Sequence, residues 1–252
     1  MRPDTILVSI MMANNENWYD TANFWFSLYC SYKRLWGLSF SHWCCSGIRT
    51  NSYWRKKRLG VDLLSASAHK IYGPKGIGLL YIRDGVTLTP LIFGGGQESG
   101  IRGGTENVPA IAGFGVAAKI AFNQMRSTMR HEIALRNYLI QRVLHEIPFC
   151  QLNGSHQNRL PGNANFSFEY VEGSSLLMML DAQGICASSG SACASSSAER
   201  PMYWLQSDCL MSLHMLRFVW HLDETQQKEL DLVVSILKRN NWPAQKYFWF
   251  LS

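Results

Sequence analysis

Continuous or periodic runs of apolar residues alternate with polar, glycine-rich segments over most of the chain. Residues 5–13 form a continuous apolar run that ends at a polar Asn-Asn-Glu triplet, which predicts a buried strand. Shorter runs at 61–65 and 79–83 predict two further strands. The segment between them, 67–78, contains several Gly residues and a Pro and is predicted to be a loop.

The second half of the chain shows mainly helical periods. Helices are predicted at 106–147, 174–183 and 225–238. The first has Pro109 in its first turn, and the second is followed by Gly184, which is typical of a helix end. Residues 164–170 alternate in the manner of a strand. Since strands are interleaved with helices, the pattern predicts an α/β protein.

One block, residues 17–58, has neither a helical nor an alternating period, and no element is predicted in it. It contains seven basic residues and one acid, Asp20, so it carries the whole net charge of +6. It also holds five of the nine Trp and three of the seven Cys. A basic protein is often a nucleic-acid binder. Because the rest of the chain is neutral on balance, the charge describes this block and not the protein's partners.

The remaining composition restricts the class of protein. No run of eighteen apolar residues is present, which argues against a membrane span. The N-terminal residues lack the pattern of a signal peptide, and the Cys residues have no regular spacing. These features predict a cytoplasmic protein with reduced thiols.

The sharpest local pattern is Ser67-Ala-His69-Lys70, which follows a predicted strand and precedes Gly73-Pro-Lys-Gly76. A Lys beside hydroxyl and imidazole donors can form a Schiff base, and nearby Gly residues let backbone N–H groups approach a phosphate. From these residues alone, a surface loop with two solvated lysines is the favoured interpretation. The pattern is neither a Walker loop nor a dinucleotide fingerprint.

A second candidate is Cys193, which lies among small polar residues at 188–197. An accessible thiol of this kind is nucleophilic once it ionises, although an incidental loop cysteine has the same appearance. Cys150 and Cys186 have more apolar neighbours in the sequence and are predicted to be inert core thiols.

Two further patterns are weaker. A metal site at His42 and Cys44-Cys45 is not expected, because no second pair of ligands follows at a usual spacing. Arg102 and Arg217 could bind anions, but a single Arg is more often a surface charge.

Taken together, the motifs resemble those of cysteine desulfurases of the NifS/IscS type, in the class-V aminotransferase family. The resemblance covers residues 1–16, 59–199 and 216–238. The matching strings, in chain order, are ANNE (13–16), GVDLLSASAHKIYGPKGIG (60–78), GGGQESGIRGGTENV (94–108), LPGNANFSF (160–168), SSGSACASSSAE (188–199) and LRF (216–218). Their order and spacing are those of the family.

The resemblance implies a fold and a division of the chain. The fold would be that of the fold type I transferases that depend on pyridoxal 5′-phosphate (PLP). Residues 1–124 would be part of the large three-layer domain, in which 17–58 is aberrant. Residues 125–252 would be the small α+β domain that carries the cysteine loop. The N-terminal part of the large domain would be lacking.

The resemblance also implies roles for individual residues. The residues concerned are Lys70, Ser67, His69, Asn15, Thr105, Arg217 and Cys193. Lys70 would bind PLP covalently, with Ser67 and His69, and Thr105 from a second subunit, on its phosphate. Asn15 would lie beside the cofactor. Arg217 would bind the carboxylate of L-cysteine, and Cys193 would accept the sulfur as a persulfide while L-alanine is released.

The implied partners follow from the same likeness. The substrate would be L-cysteine, and the sulfur would pass to an acceptor protein for iron–sulfur cluster assembly or tRNA thiolation. A homodimer is expected, with no resident metal, although Cys193 could serve as a transient iron–sulfur ligand. No membrane and no direct nucleic-acid partner are expected.

The sequence departs from the family in the block at 17–58. The family has a His stacked on the cofactor ring, an Asp on the pyridine nitrogen and a Gln on the ring hydroxyl. The Asp and Gln belong to an HTDAVQ-like stretch expected near His42, which is followed here by Trp-Cys-Cys-Ser-Gly. These losses predict that the chain as it stands is inactive or folds poorly, although its family is clear.

A shifted reading frame accounts for this departure. Residues 17–24 can be back-translated so that a one-base shift gives TGMIQPIS. Residues 40–57 similarly give FHTDAVQAFGQIPIDVKK if Trp43 and Trp54 are TGA codons. Residues 200–214 give PTHVLAAIGLSDELAH after a lost base, so the second altered segment is expected at 200–215. A divergent insertion is the weaker explanation.

The sequence therefore predicts a PLP-dependent cysteine desulfurase by family. Two alternatives stay open. One is a selenocysteine lyase or another class-V PLP enzyme, and the other is a non-catalytic basic protein that binds nucleic acid through residues 17–58.

Overall fold

The computed structural model describes residues 4–11, 39–43, 61–157, 159–168, 173–187, 214–219 and 226–240. The chain divides into two compact units. Among the described residues, the first unit comprises those up to Arg126 and the second those from Ser127 onward.

The first unit contains a four-stranded sheet in the order β1-β2-β3-β4. Its strands are β1 (Leu7–Met11), β2 (Ser39–Trp43), β3 (Leu63–Ser67) and β4 (Gly78–Ile82). β1, β2 and β3 run parallel, and β4 is antiparallel to β3. The carboxyl ends of the parallel strands therefore lie at one edge of the sheet, which is where α/β sheets bind ligands.

β3 is a buried strand of this unit. Leu63, Leu64 and Ala66 are each less than 9% exposed, and the last two pack in a core with Phe114 and Ala117. An ion pair joins β3 to β4 at the end of the strand pair where β3 begins and β4 ends. There the Asp62 carboxylate lies 3.0 Å from Arg83 Nη1, and Arg83 Nη2 donates to the Val61 carbonyl at 2.6 Å.

Helix α1 extends over 39 residues, Val108–Glu146. Asn107 caps it, because its Oδ1 accepts a hydrogen bond from the Ala110 N–H at 3.2 Å. Pro109 lies in the first turn, where its missing N–H costs nothing. The boundary between the two units falls within this helix.

The second unit contains a three-stranded antiparallel sheet in the order β5-β6-β7. Its strands are β5 (Cys150–Leu152), β6 (Asn163–Phe168) and β7 (His214–Val219). Helices α2 (Gly173–Asp181) and α3 (Gln227–Asn240) complete the described part. A core of apolar side chains from α1, α2, α3 and β6 includes Leu139, Val143, Phe166, Leu180, Leu230 and Val233.

A cluster of ion pairs joins α1 to α3 at the surface of this unit. Asp231 on α3 accepts from the Tyr138 hydroxyl and from Arg142 Nη1, each at 2.5 Å. Arg142 Nε also pairs with Glu146, one helical turn further on. The hydrogen bond from Arg142 lowers the pKa of the Glu146 carboxyl. Solvent screens surface pairs of this kind, so each contributes little to stability.

Most of the elements predicted from the sequence are present, with ends that differ by about two residues. The structure adds β5 and β7, which the pattern does not predict, and β2, which lies inside the block at 17–58. None of the helices in the described part is long and apolar enough to cross a membrane.

Candidate functional site

The segment from Ser67 to Gly73, called the lysine turn below, leaves the carboxyl end of β3. Ala68–Ile71 form a short 3-10 helix that ends at Tyr72, whose φ of 60° lies in the left-handed region. The Ala68 N–H donates to the Ile77 carbonyl at 3.1 Å, and the Gly73 N–H donates to the Ala68 carbonyl at 2.9 Å. These bonds fix the turn against the start of β4.

The residues of the lysine turn fall into two groups: buried residues that anchor the turn, and accessible residues with polar side chains. Ala68 is 0% exposed and Ile71 is 3% exposed, so both are fixed in the core. His69 is exposed, while Ser67 and Lys70 are partly exposed. The backbone is close-packed at Gly73, where an added Cβ would lie 2.9 Å from the Ala68 Cβ. A rigid base thus presents three polar side chains within four residues.

The chemistry of this donor set fits a phosphorylated carbonyl compound. A hydroxyl and an imidazole donate hydrogen bonds to phosphate oxygens, and a lysine amine adds to a carbonyl. The parallel strand β3 delivers these groups to the sheet edge at which α/β proteins bind phosphates. The turn therefore fits the lysine-and-phosphate end of PLP.

A second loop of the first unit, Gly94–Thr105, carries another predicted site residue and is called the glycine loop. Its ends touch at Gly103, where an added Cβ would lie 2.7 Å from the Gly94 Cα. Glu98 and Ser99 have left-handed φ values of 48° and 57°. Such values are unusual for residues with a side chain and are stored strain of the kind found at binding loops. Thr105 is exposed at the end of this loop.

Arg217 lies in the second unit, on the central part of β7. Its register partner in the antiparallel pair β6–β7 is Asn165. Asn15 and Cys193 lie outside the described residues. The structure therefore brings Ser67, His69 and Lys70 together in one turn, and the roles assigned to the other residues stay predictions.

The two other cysteines described in the second unit differ from each other. Cys150 is partly buried, and its thiol donates to the carbonyls of Val143 and Ile147. Burial raises the pKa of this thiol to about 11, which keeps it protonated at neutral pH and supports the prediction of an unreactive thiol. The same prediction for Cys186 is wrong, because Cys186 is exposed. It follows the buried Ile185 in the extended segment after Gly184, whose left-handed turn directs the chain away from α2.

Two further sequence interpretations concern charge and metal. Arg102 is exposed and donates only to the neighbouring Gly103 carbonyl at 3.0 Å in the described contacts, as expected of a surface charge. Within the described ranges, no group of three or more His, Cys, Asp or Glu residues is placed to hold a metal. Cys44 and Cys45 lie outside those ranges.

Sequence reasoning missed a group of buried polar residues in the second unit. Its members are Asn153, Arg159, Asn163, Asn165 and Ser167, each at most 9% exposed. Arg159 donates to the carbonyls of Ser155, Asn163 and Asn153 and to Asn163 Oδ1. The alternation of polar and apolar residues in β6 marks one face of the strand as polar, but no signal in the sequence indicates that this face is buried.

Fold and lysine turn together define an α/β protein that presents a lysine and phosphate-binding donors at the carboxyl end of a parallel sheet. The aminotransferase class-V family matches residues 54–231, well over half of the chain. The chain belongs to this family. Enzymes of the family depend on PLP.

Individual relatives agree with that membership. The chain is 42% identical to a cysteine desulfurase IscS of Dictyoglomus turgidum over 242 residues, which is 95% of this chain and 60% of the relative. It is 50% identical to a cysteine desulfurase of a Nostoc species over 139 residues, or 55% of this chain and 35% of the relative. The chain thus spans about 60% of the first relative's length.

Solved structures confirm the predicted fold type. A NifS-like protein superposes with a TM-score of 0.80 at 29% identity, covering 95% of this chain and 62% of its own. DndA from Streptomyces lividans superposes with a TM-score of 0.66 at 30% identity, covering 87% and 62%.

Proposed function

We propose that the chain has the chemistry of a PLP-dependent cysteine desulfurase, which converts L-cysteine to L-alanine and transfers the sulfur to an enzyme cysteine. The observation that carries the proposal is the lysine turn: Ser67, His69 and Lys70 stand together at the carboxyl end of β3. The relatives named cysteine desulfurases support the choice of substrate.

The residues of the first unit would hold the cofactor. Lys70 would provide the amine that holds the cofactor, and Ser67 and His69 would donate hydrogen bonds to its phosphate. Asn15, which lies outside the described residues, would contact the ring, and Thr105 would reach the phosphate of a second subunit. When bound, PLP supplies an electron-withdrawing ring that stabilises negative charge at the substrate Cα. The exposed position of Thr105 on the glycine loop supports a contact with a second subunit.

The remaining residues would act on the substrate. Arg217 binds the carboxylate of L-cysteine through two parallel hydrogen bonds, and Lys70 moves the proton at Cα. The thiolate of Cys193 attacks the substrate sulfur. An S–S bond forms and the C–S bond breaks, the electron pair goes to carbon, and protonation of that carbon gives L-alanine. A persulfide remains on Cys193.

The proposal includes partners that follow from a persulfide. A second protein must accept the sulfur, either for iron–sulfur cluster assembly or for tRNA thiolation. A homodimer, transient iron–sulfur ligation by Cys193 and a cytoplasmic location stay predictions. The domain boundaries at 1–124 and 125–252 are part of the same proposal.

Low turnover is expected, because the Asp that supports the pyridine nitrogen in the family has no counterpart near His42. We attribute this to a shifted reading frame at 17–58 and 200–215. Sequencing of the encoding DNA tests it. Codons that can be shifted to the family strings are expected, and codons incompatible with those strings would rule the shift out.

Cofactor uptake and sulfide release test the function. The chain incubated with PLP should gain visible absorbance that Lys70→Ala removes. Lys75→Ala is the matched control, since Lys75 is an exposed lysine just after the same turn. Any sulfide released from L-cysteine should require Cys193, so Cys193→Ser should abolish it.

Contrary results would identify an alternative. Absorbance that survives Lys70→Ala contradicts the assignment of the lysine. Release of selenide from selenocysteine, with none of sulfide from cysteine, would indicate a selenocysteine lyase. Salt-sensitive nucleic-acid binding without cofactor uptake would contradict an enzyme function altogether.

A further inference from the structure

One face of strand β6 in the second unit is polar and buried. Alternate residues of β6 form it: Asn163 is 0% exposed, Asn165 is 2% exposed and Ser167 is 0% exposed. The other face of β6, formed by Ala164, Phe166 and Phe168, packs in the apolar core. Burying amide and hydroxyl groups is costly unless they are hydrogen-bonded. The polar face therefore requires an explanation that the apolar face does not.

A hydrogen-bonded ladder fixes the side chain of Asn165. Asn153 Nδ2 donates to Asn165 Oδ1 at 3.0 Å and to Ser167 Oγ at 2.8 Å. The Ser167 hydroxyl in turn donates to Asn153 Oδ1 at 3.0 Å. The backbone N–H of Asn153 donates to the Asn165 carbonyl at 2.8 Å, so both strands hold the ladder in place. The Asn165 amide oxygen is thus held by a buried neighbour that is itself hydrogen-bonded to Ser167.

The strand register sets Arg217 opposite this fixed amide. Asn165 pairs with Arg217 in the antiparallel pair β6–β7. Directly opposed residues share a face of the sheet and have Cβ atoms about 4.5–5.5 Å apart. The register therefore places residue Arg217 across from Asn165, on the same side of the sheet. Its neighbours two residues away on β7, Met215 and Val219, oppose Ser167 and Asn163.

An arginine that binds a carboxylate binds it better when a fixed neighbouring side chain restricts the orientation of its guanidinium group. Two parallel hydrogen bonds to a carboxylate require the guanidinium plane to be fixed, whereas a free arginine side chain samples many rotamers. A side chain whose own orientation is determined by surrounding hydrogen bonds can restrict that sampling. Asn165 is such a side chain at cross-strand distance.

We propose that Asn165 is a positioning residue for Arg217, and that the ladder formed with Asn153 and Ser167 exists to fix it. The inference rests on the proposed function, in which Arg217 binds the carboxylate of the amino-acid substrate. Asn165 does not touch the substrate in this account. It determines how well Arg217 distinguishes a ligand with a carboxylate from one without.

The experiment compares two ligands of the PLP-loaded full chain by equilibrium titration of the visible absorbance. L-Alanine carries the amine and the carboxylate, and ethylamine carries the amine alone. The ratio of their dissociation constants measures carboxylate recognition and needs no turnover. Asn165→Leu should reduce the preference for L-alanine about tenfold, as the loss of one hydrogen bond near a charged group predicts. Ethylamine binding should be unchanged.

Matched variants separate positioning from a purely structural role. Asn163→Leu makes the same change on the same face two residues away, opposite Val219 instead of Arg217. It should leave the ligand ratio at its parent value even if it lowers stability. Where the Leu variants do not fold, the pair Asn165→Ser and Asn163→Ser makes the same comparison with a smaller side chain. Arg217→Ala and the double variant with Asn165→Leu complete a cycle, in which Asn165→Leu should add nothing once Arg217 is absent.

The outcomes distinguish this inference from the proposed function. If Arg217→Ala lowers the preference and neither Asn165 variant does, the positioning role is wrong and the role of Arg217 stands. If both Asn165 variants weaken the two ligands equally, Asn165 is only structural. If Arg217→Ala leaves the preference unchanged, or the parent shows none, the carboxylate role of Arg217 fails and the inference fails with it.

Discussion

The lysine turn and the polar face of the β6 strand hold their polar side chains in opposite ways. In the turn, buried Ala68 and Ile71 fix the backbone, and His69 is left exposed. In the polar face, Asn165 and its neighbours are buried and bond to one another. The first arrangement leaves groups accessible for a ligand, whereas the second fixes groups in place. Substitutions should therefore affect ligand binding in the turn and stability in the second unit.

The largest loss of stability is expected in the apolar core that backs the polar face. Leu180 on α2 is 0% exposed, so Leu180→Ala should lower the free energy of unfolding by about 2–5 kcal/mol. Met178 on the same helix is 75% exposed, and Met178→Ala should change it by less than about 0.5 kcal/mol. Urea unfolding followed by circular dichroism measures both. Equal effects would contradict the assignment of the core.

A somewhat smaller loss is expected from a buried arginine. Arg159→Met removes the donors for the carbonyls of Ser155, Asn153 and Asn163 and should cost about 3 kcal/mol, since each unsatisfied buried group costs about 1–3 kcal/mol. Arg102→Met in the exposed glycine loop is the control and should be nearly neutral. The same unfolding measurement applies. A neutral Arg159→Met would show that the buried polar group contributes nothing to the second unit.

The helix cap should have a smaller effect. Asn107→Ala removes the Oδ1 acceptor of the Ala110 N–H and should lower stability by about 1 kcal/mol. Asn107→Asp keeps the acceptor and should retain the parent stability. Thermal unfolding compares the three proteins, and a loss in Asn107→Asp as large as that in Asn107→Ala would contradict the cap.

Thiol ionisation is not expected to affect stability at neutral pH. The thiols of Cys150 and Cys186 are, however, expected to differ in reactivity. The pKa of Cys150 is raised to about 11 by burial, so the unfolded thiol ionises first as the pH rises. The stability that the folded protein gains from the protonated Cys150 thiol is therefore complete below about pH 9, and it is lost as the pH rises through about 11. At pH 8, iodoacetamide should alkylate exposed Cys186 at least about tenfold faster than Cys150, as peptide mapping by mass spectrometry would show. Comparable rates would mean that Cys150 is accessible.

The sequence predicts the regular elements better than it predicts burial. The long helical period and Pro109 in its first turn locate α1 to within two residues, because the restriction that proline imposes on the backbone is local. The alternation at 164–170 likewise indicates β6. It does not reveal that the polar face of that strand is buried, because alternation alone is typical of a strand with one face in solvent.

The elements that were missed have physical reasons too. β5 is three residues long, too short to show a period. β2 lies in a block of mixed aromatic and basic residues and exists through pairing with β1 and β3, which is a tertiary effect. The chemical candidates Ser67, His69 and Lys70 could be named from the sequence because they are adjacent in it. The pairing of Arg217 with Asn165 could not, since 52 positions separate them and only the register joins them.

Covalent mapping of the cofactor tests the central claim most directly. The chain should be incubated with PLP, reduced with borohydride and digested, and the modified peptide identified by mass spectrometry. The account predicts the phosphopyridoxyl group on Lys70, with Lys75 unmodified and with no specific labelling in Lys70→Ala. Modification of Lys75 in preference to Lys70, or labelling spread equally over the surface lysines, would contradict it.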